Sequence, residues 1–248
     1  MALHDTAAPA RPAIGYGLRA KFGMMLPSVN TVAEPQMKAM LPEGVSLHTT
    51  RLHLVGGGNH LKMLDRLEEA TALLADAHVD RLLFHCTAVS MWSPEIVDEI
   101  RSRVAAVTAI PLVITSDAVV HALAALDAKN IVLLTPYVQD INDRELRFLK
   151  HHGINVLAER GLGIESGLAM SAVEPDRWLA EALSMRDARA DAYFISCTTV
   201  RSADVIATLE RELGKPVLTS NQVAVWRALR ESGLNDRISN FGTLLFDR

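Results

Sequence analysis

Apolar stretches of strand length alternate with helix-period segments along most of the chain, the pattern of a parallel sheet joined by crossover helices. The first half opens on an apolar strand over 21–26 that runs into Pro27-Ser28, and the second on a strand over 129–134 that runs into Thr135-Pro136-Tyr137. Helical patterns follow over 33–41 and 138–152. In the latter, Ile141, Leu146 and Leu149 stand among charged residues and Gly153 ends the pattern. Second strands are expected over 45–54 and 154–161, helices near 60–77 and 174–187, and third strands over 81–85 and 192–196. A helix should follow each third strand. Fourth strands over 111–116 and 216–220 then run into helices over 118–126 and 223–231. The offset between matched landmarks stays near 104 to 111 residues, from Ser116/Ser220 at one extreme to Cys86/Cys197 at the other.

The expected fold class is therefore α/β: two pseudo-symmetric open parallel-sheet (Rossmann-like) lobes with the active site in the cleft between them. Residues 1–14 read as a flexible tail, 15–117 plus 221–248 as lobe one, and 118–220 as lobe two.

The repeat also carries chemistry. Asp80-Arg-Leu-Leu-Phe-His-Cys86-Thr87 returns as Asp191-Ala-Tyr-Phe-Ile-Ser-Cys197-Thr198, with an aspartate six positions before each of the two cysteines in the chain. Ligands of open parallel sheets bind beyond the carboxyl ends of the strands, where both cysteines fall. Helix N-termini following them would favour an anion and lower the thiol pKa values. The competing reading, a small hydrophobe at the end of a core strand, suits one cysteine better than a matched pair. A Cys86–Cys197 disulfide is disfavoured by the same context. No metal site is expected, because His85 and Cys86 are adjacent strand residues on opposite faces and no CxxC or HxxxH spacing occurs.

Bulk properties narrow the class. The 248 residues are 49% hydrophobic and 22% charged, ordinary for a soluble globular enzyme. A net charge of −4 with no basic stripe speaks against nucleic acid as a partner. The longest apolar runs, 111–114 and 131–134, are too short to cross a membrane. Residues 1–13 lack the charged and apolar regions of a signal peptide, so a reducing cytoplasm is expected. No GxGxxG or Walker loop occurs, and no cofactor is expected.

Pro27-Ser28-Val29-Asn30-Thr31, Thr135-Pro136-Tyr137, the two Cys-Thr sites and Thr219-Ser220-Asn221 together resemble the aspartate/glutamate racemase superfamily. Within it the chain is most similar to the branch holding maleate cis-trans isomerase and arylmalonate decarboxylase, from about Gly15 to Arg248. The resemblance implies Cys86 as nucleophile and Cys197 as proton donor and acceptor. Asn30 and Tyr137 would clamp the substrate carboxylates, with Ser28, Thr87, Ala88, Thr198 and Thr199 as further substrate-binding positions. Arylmalonate decarboxylases have glycine at the first cysteine position, so Cys86 argues against that activity. Gly167 stands where maleate isomerases carry an asparagine, which leaves room for a different or bulkier acid. A homo-oligomer is expected from the family's habit.

The expected function is cofactor-independent cis-trans isomerisation of a small unsaturated dicarboxylate. Two-thiol racemisation or epimerisation of an acidic compound, and decarboxylation of a substituted malonate, stay open as alternatives. A binding protein without chemistry has the same architecture and would show ordinary, slowly alkylated thiols. Gly56-Gly57-Gly58-Asn59-His60 is either a lid or a plain connection, and Arg201 either pairs with a carboxylate or caps its helix. His48 and His53 are expected to be structural, His151-His152 to lie at the surface, and Trp92 to pack or to wall the pocket.

Overall fold

A computed structural model describes residues 16–54 and 60–248. The tail expected over 1–14 and the loop at 56–58, lid or plain connection, lie outside the described residues. Among the described residues, eight strands form two four-stranded parallel sheets. The first sheet contains β1 (Ala20–Pro27), β2 (Val45–Leu52), β3 (Arg81–Phe84) and β4 (Leu112–Ile114) in the order β2-β1-β3-β4. The second contains β5 (Asn130–Thr135), β6 (Asn155–Gly161), β7 (Ala192–Ile195) and β8 (Val217–Thr219) in the order β6-β5-β7-β8. Replacing each strand by its repeat partner converts one order into the other.

The aspartates of the repeat have a structural task. The Asp80 carboxylate accepts from the Lys21 backbone N–H at 2.7 Å, and that of Asp191 accepts from the N–H groups of Lys129 and Asn130 at 3.0 and 2.8 Å. Each aspartate thus pins the start of its lobe's first strand to the start of the third. All four residues of β3 and of β7 are buried, as expected of central parallel strands covered on both faces.

The helices of the first half are α1 (Ala33–Met40), α2 (Leu67–Asp76), α3 (Thr87–Ser90), α4 (Pro94–Ala105) and α5 (Thr115–Ala125). Those of the second are α6 (Gln139–His151), α7 (Gly167–Ser171), α8 (Pro175–Ser184), α9 (Ile206–Leu213), α10 (Ser220–Glu231) and α11 (Gly242–Asp247). The segment 60–77, expected as one helix, is a 3-10 turn over His60–Arg66 followed by α2. Both fourth strands are shorter than expected, since α5 and α10 already begin at Thr115 and Ser220. At α10 the side chain of Thr219 caps the Gln222 N–H, and Gln222 returns a bond to the Thr219 N–H.

α10 is buried on nearly every face, because it packs along α5, α1 and strands of both sheets. Arg81 of β3 reaches the Glu231 carboxylate at 2.5 Å and Ser232 at 3.0 Å, just beyond the helix. α11 turns back against α9 and β8, where Thr243 bonds Glu210. Residues 221–248 were expected on lobe one; within them, α10 packs mainly on elements of the first half and α11 on those of the second.

Candidate active site

The carboxyl ends of β1, β3, β5 and β7 meet at a cavity of about 50 Å³. Its wall includes Cys86, Thr87 and Ala88 from the first half and Tyr137, Cys197, Thr198 and Thr199 from the second. Apolar side chains of Val29, Leu54, Ile141 and Met170 line its outer part, with His60, Glu165 and Gly167. Among the described residues, no lysine or arginine belongs to this wall. Among the described residues no three His, Cys, Asp or Glu side chains gather as a metal site would require.

The two cysteines are free thiols in different local settings. Cys86 is extended, with φ −153° and ψ 107°, and is the N-cap of α3. The backbone N–H groups of Ala88 and Val89 point at its sulfur. Cys197 has φ +95°, which L-residues rarely adopt. It is followed by a turn, and α9 begins only at Ile206. A helix follows each cysteine as expected, immediately as α3 in the first half and after a turn as α9 in the second. The Cys197 conformation is fixed by two bonds: its N–H donates to Ser220 Oγ at 3.0 Å, and its sulfur accepts the Thr199 N–H at 3.3 Å.

Burial decides the protonation of both sulfurs. It pushes the Cys86 thiol up to about 12, against the opposing pull of the Val89 and Ala88 N–H groups. Burial also raises the Cys197 thiol, opposed by hydrogen bonds from the Tyr137 hydroxyl and Thr199. The expected lowering of thiol pKa by helix N-termini is therefore overturned in the closed cavity, because desolvation of the thiolate outweighs a few N–H dipoles. Slow alkylation no longer separates a binder from an enzyme. Tyr137 is itself raised well above its ordinary value, by burial first and then by the charge of Cys197, so it remains a donor to an anion in the cavity.

A buried polar network ties the two halves behind the sulfurs. Thr87 Oγ1 donates to Ser220 Oγ at 2.9 Å, so Ser220 accepts from the turns of both cysteines. His85 Nε2 meets Asn221 Oδ1 at 2.8 Å and Nδ1 meets Thr115 Oγ1 at 3.0 Å. Burial holds this imidazole neutral, with its pKa lowered to about 4. Asn221 donates in turn to Gln36 Oε1 at 2.7 Å, and Gln36 to the Val200 carbonyl at 3.1 Å. None of His85, Gln36, Ser220 and Asn221 is picked out as a site residue by sequence reasoning. The Thr219-Ser220-Asn221 motif is the signal that points toward two of them.

Other expected site residues fall into two groups. Cys86, Cys197, Tyr137, Thr87, Ala88, Thr198 and Thr199 are brought together in the cavity wall. Asn30 and Ser28 are not part of that wall. The fully buried Asn30 donates to Thr198 Oγ1 at 3.0 Å and accepts from the N–H groups of Val32 and Ala33. The Ser28 hydroxyl accepts the Leu54 N–H at 3.1 Å. Arg201 neither caps a helix nor faces the cavity; it pairs with Glu174 at 2.7 Å. Trp92 does not line the cavity, and the Arg144 guanidinium lies over its ring at 3.4 Å. His48 and His53 are exposed, as are His151 and His152.

Tyr137 is seated by its own loop. Its N–H donates to Thr135 Oγ1 at 3.1 Å, and Thr135 donates to Asn142 Oδ1 at 2.5 Å. Gly161 lies against this turn, where a Cβ would come within 2.5 Å of the Tyr137 carbonyl oxygen, so no larger residue fits without moving Tyr137.

Comparison with known proteins decides the family, since the arylmalonate decarboxylase family profile matches residues 22–245. The chain belongs to the arylmalonate decarboxylase family. A maleate isomerase from Nocardia farcinica is 29% identical over 242 residues, covering 92% of this chain and 96% of the relative. A maleate isomerase from Geobacillus stearothermophilus is 27% identical over 242 residues, with 91% and 96% covered. Among solved structures, a cysteine-to-serine variant of the Nocardia farcinica maleate cis-trans isomerase, with a covalently bound succinylcysteine intermediate, superposes with a TM-score of 0.88. It shares 25% identity and covers 92% of this chain and 99% of that one. The two-sheet architecture expected from the repeat is that of these relatives.

Proposed function

We infer that this chain is a maleate-type cis-trans isomerase that works through its two cysteines without a cofactor. The observation that carries the reading is one small cavity walled by both thiols, in a chain whose full-length relatives are named maleate isomerases.

In this reading the Cys86 sulfur, once ionised, bonds to one alkene carbon of the cis diacid. The π pair moves onto the neighbouring carbon and its carboxylate, and that carbon takes a proton from Cys197. Rotation about the resulting single bond follows. Cys197 then removes the proton, the C–S bond breaks and the trans alkene forms. Covalent addition replaces one forbidding rotation by easier steps. Tyr137 and the N–H groups of the cysteine turns are the donors suited to the charge that develops on the carboxylate. The absence of lysine and arginine from the wall fits this use of neutral donors. A reducing compartment suits a site that needs both thiols free.

The test is to incubate the protein with reductant and maleate, with no added cofactor, and follow the alkene protons by NMR. Fumarate should appear. Cys86→Ala should reduce the rate to background, and Cys197→Ala should lower it by about 10²–10⁴-fold, the usual contribution of a positioned acid-base group. Decarboxylation of phenylmalonate that survives in Cys86→Gly, with no fumarate formed by the unaltered protein, would replace this reading with the decarboxylase one.

A further inference from the structure

Behind the second cysteine lies an acid that the reaction above does not use. Glu145 is on the buried face of α6, 1% exposed, and its carboxyl makes no well-formed hydrogen bond. The buried hydroxyl of Ser196, which directly precedes Cys197, lies beside it as a weak donor. One turn earlier on the same helix, Asn142 bonds Thr135 in the loop that seats Tyr137. Glu145 therefore sits beneath the Cys197–Tyr137 side of the cavity.

We propose that Glu145 is a positioning residue whose protonated state favours ionisation of Cys197, so that loss of its proton slows reaction at the second thiol. This rests on the isomerase reading only for the use made of Cys197. A buried carboxylate without a strong partner is costly, and a loosely placed Ser196 hydroxyl offsets little of that cost. The charged and titratable groups that face Glu145 are Glu159 on β6, Tyr137 in the β5–α6 loop and Cys197 at the end of β7, none of them a cation. Burial pushes the carboxyl up to about 7, against the pull of the Ser196 hydroxyl and with the help of the Glu159 charge. An ionised Glu145 in turn raises both Cys197 and Tyr137, since like charges oppose one another in this dry region. The carboxyl is thus neutral in mildly acidic solution and turns anionic across the neutral range, where it opposes the thiolate.

The experiment is the pH dependence of Cys197 alkylation by iodoacetamide, read peptide by peptide by mass spectrometry, in the unaltered chain and in Glu145→Gln. It needs no substrate, so its outcome is independent of whether maleate is turned over. Below about pH 6 the two proteins should react alike, since the native residue is then neutral too. Above about pH 8 the variant should react faster, by up to about tenfold, one unit of thiol pKa. Equal rates throughout, or an offset of the same size at every pH, would overturn the proposal, the latter because it reports a purely structural change. Should Glu145→Gln not fold, infrared spectra of the unaltered protein provide the second reading. A protonated-carboxyl band should persist well above the ordinary carboxylate range and vanish near neutrality; its absence there would equally overturn the proposal.

Discussion

Cys197 combines two demands in one residue: it must bring a sulfur to the cavity and hold φ at +95°. Such a conformation costs an L-residue about 1–3 kcal/mol, and the bonds to Ser220 and Thr199 are what hold it. Glycine relieves that strain. Cys197→Gly should therefore unfold at a higher temperature than Cys197→Ala, by the equivalent of about 1 kcal/mol, although both lose the thiol. The matched pair at Cys86 should show the opposite order, because that residue is extended and glycine gains nothing there. Thermal unfolding of the four variants makes the comparison. The repeat identifies both cysteines in the sequence, yet it gives no hint that one is strained, since φ is set by what the turn packs against.

At the scale of elements, the N-terminus of α10 is where the two cysteine turns meet. Ser220 was expected to end a strand; it is the first residue of the helix and accepts from Thr87 Oγ1 and the Cys197 N–H. Ser220→Ala strands two buried donors and should cost about 1–3 kcal/mol of stability in denaturant melts, with a loss of activity larger than that of any surface change. Its repeat partner is a built-in control. Ser116 is equally buried but its hydroxyl has no partner, so Ser116→Ala should be neutral or slightly stabilising. The sequence makes these serines equivalent. Their surroundings do not, because only α10 is enclosed by both sheets.

For the whole molecule, two buried titratable groups of opposite tendency shape stability against pH. His85 is lowered by burial to about 4, so the unfolded chain binds the proton more readily and stability falls as pH drops from about 6.5 toward 4. Glu145 is raised by burial to about 7, so the folded chain keeps its proton longer and stability falls as pH rises from about 4.5 toward 7. Between about pH 4.5 and 6.5 the two slopes oppose each other, so these groups together leave a plateau in mildly acidic solution. Unfolding midpoints measured from pH 4 to 8 should show it, and Glu145→Gln should turn the plateau into a rise toward about pH 6.5 and remove the fall above it.

Local pattern and repetition by themselves determined that this protein has two lobes of one design, with matched strand orders and a cysteine at the carboxyl end of each third strand. Alternating apolar segments report strands and helices over short range, and the second copy checks the first. Packing between the lobes decided the rest. Arg201 found Glu174, and Asn30 turned away from the cavity wall to hold Thr198. Ser220 joined turns that lie 133 and 23 residues away in the chain. The resting state of the thiols belongs here too, because desolvation depends on how completely two halves close over a sulfur, and no local sequence records that.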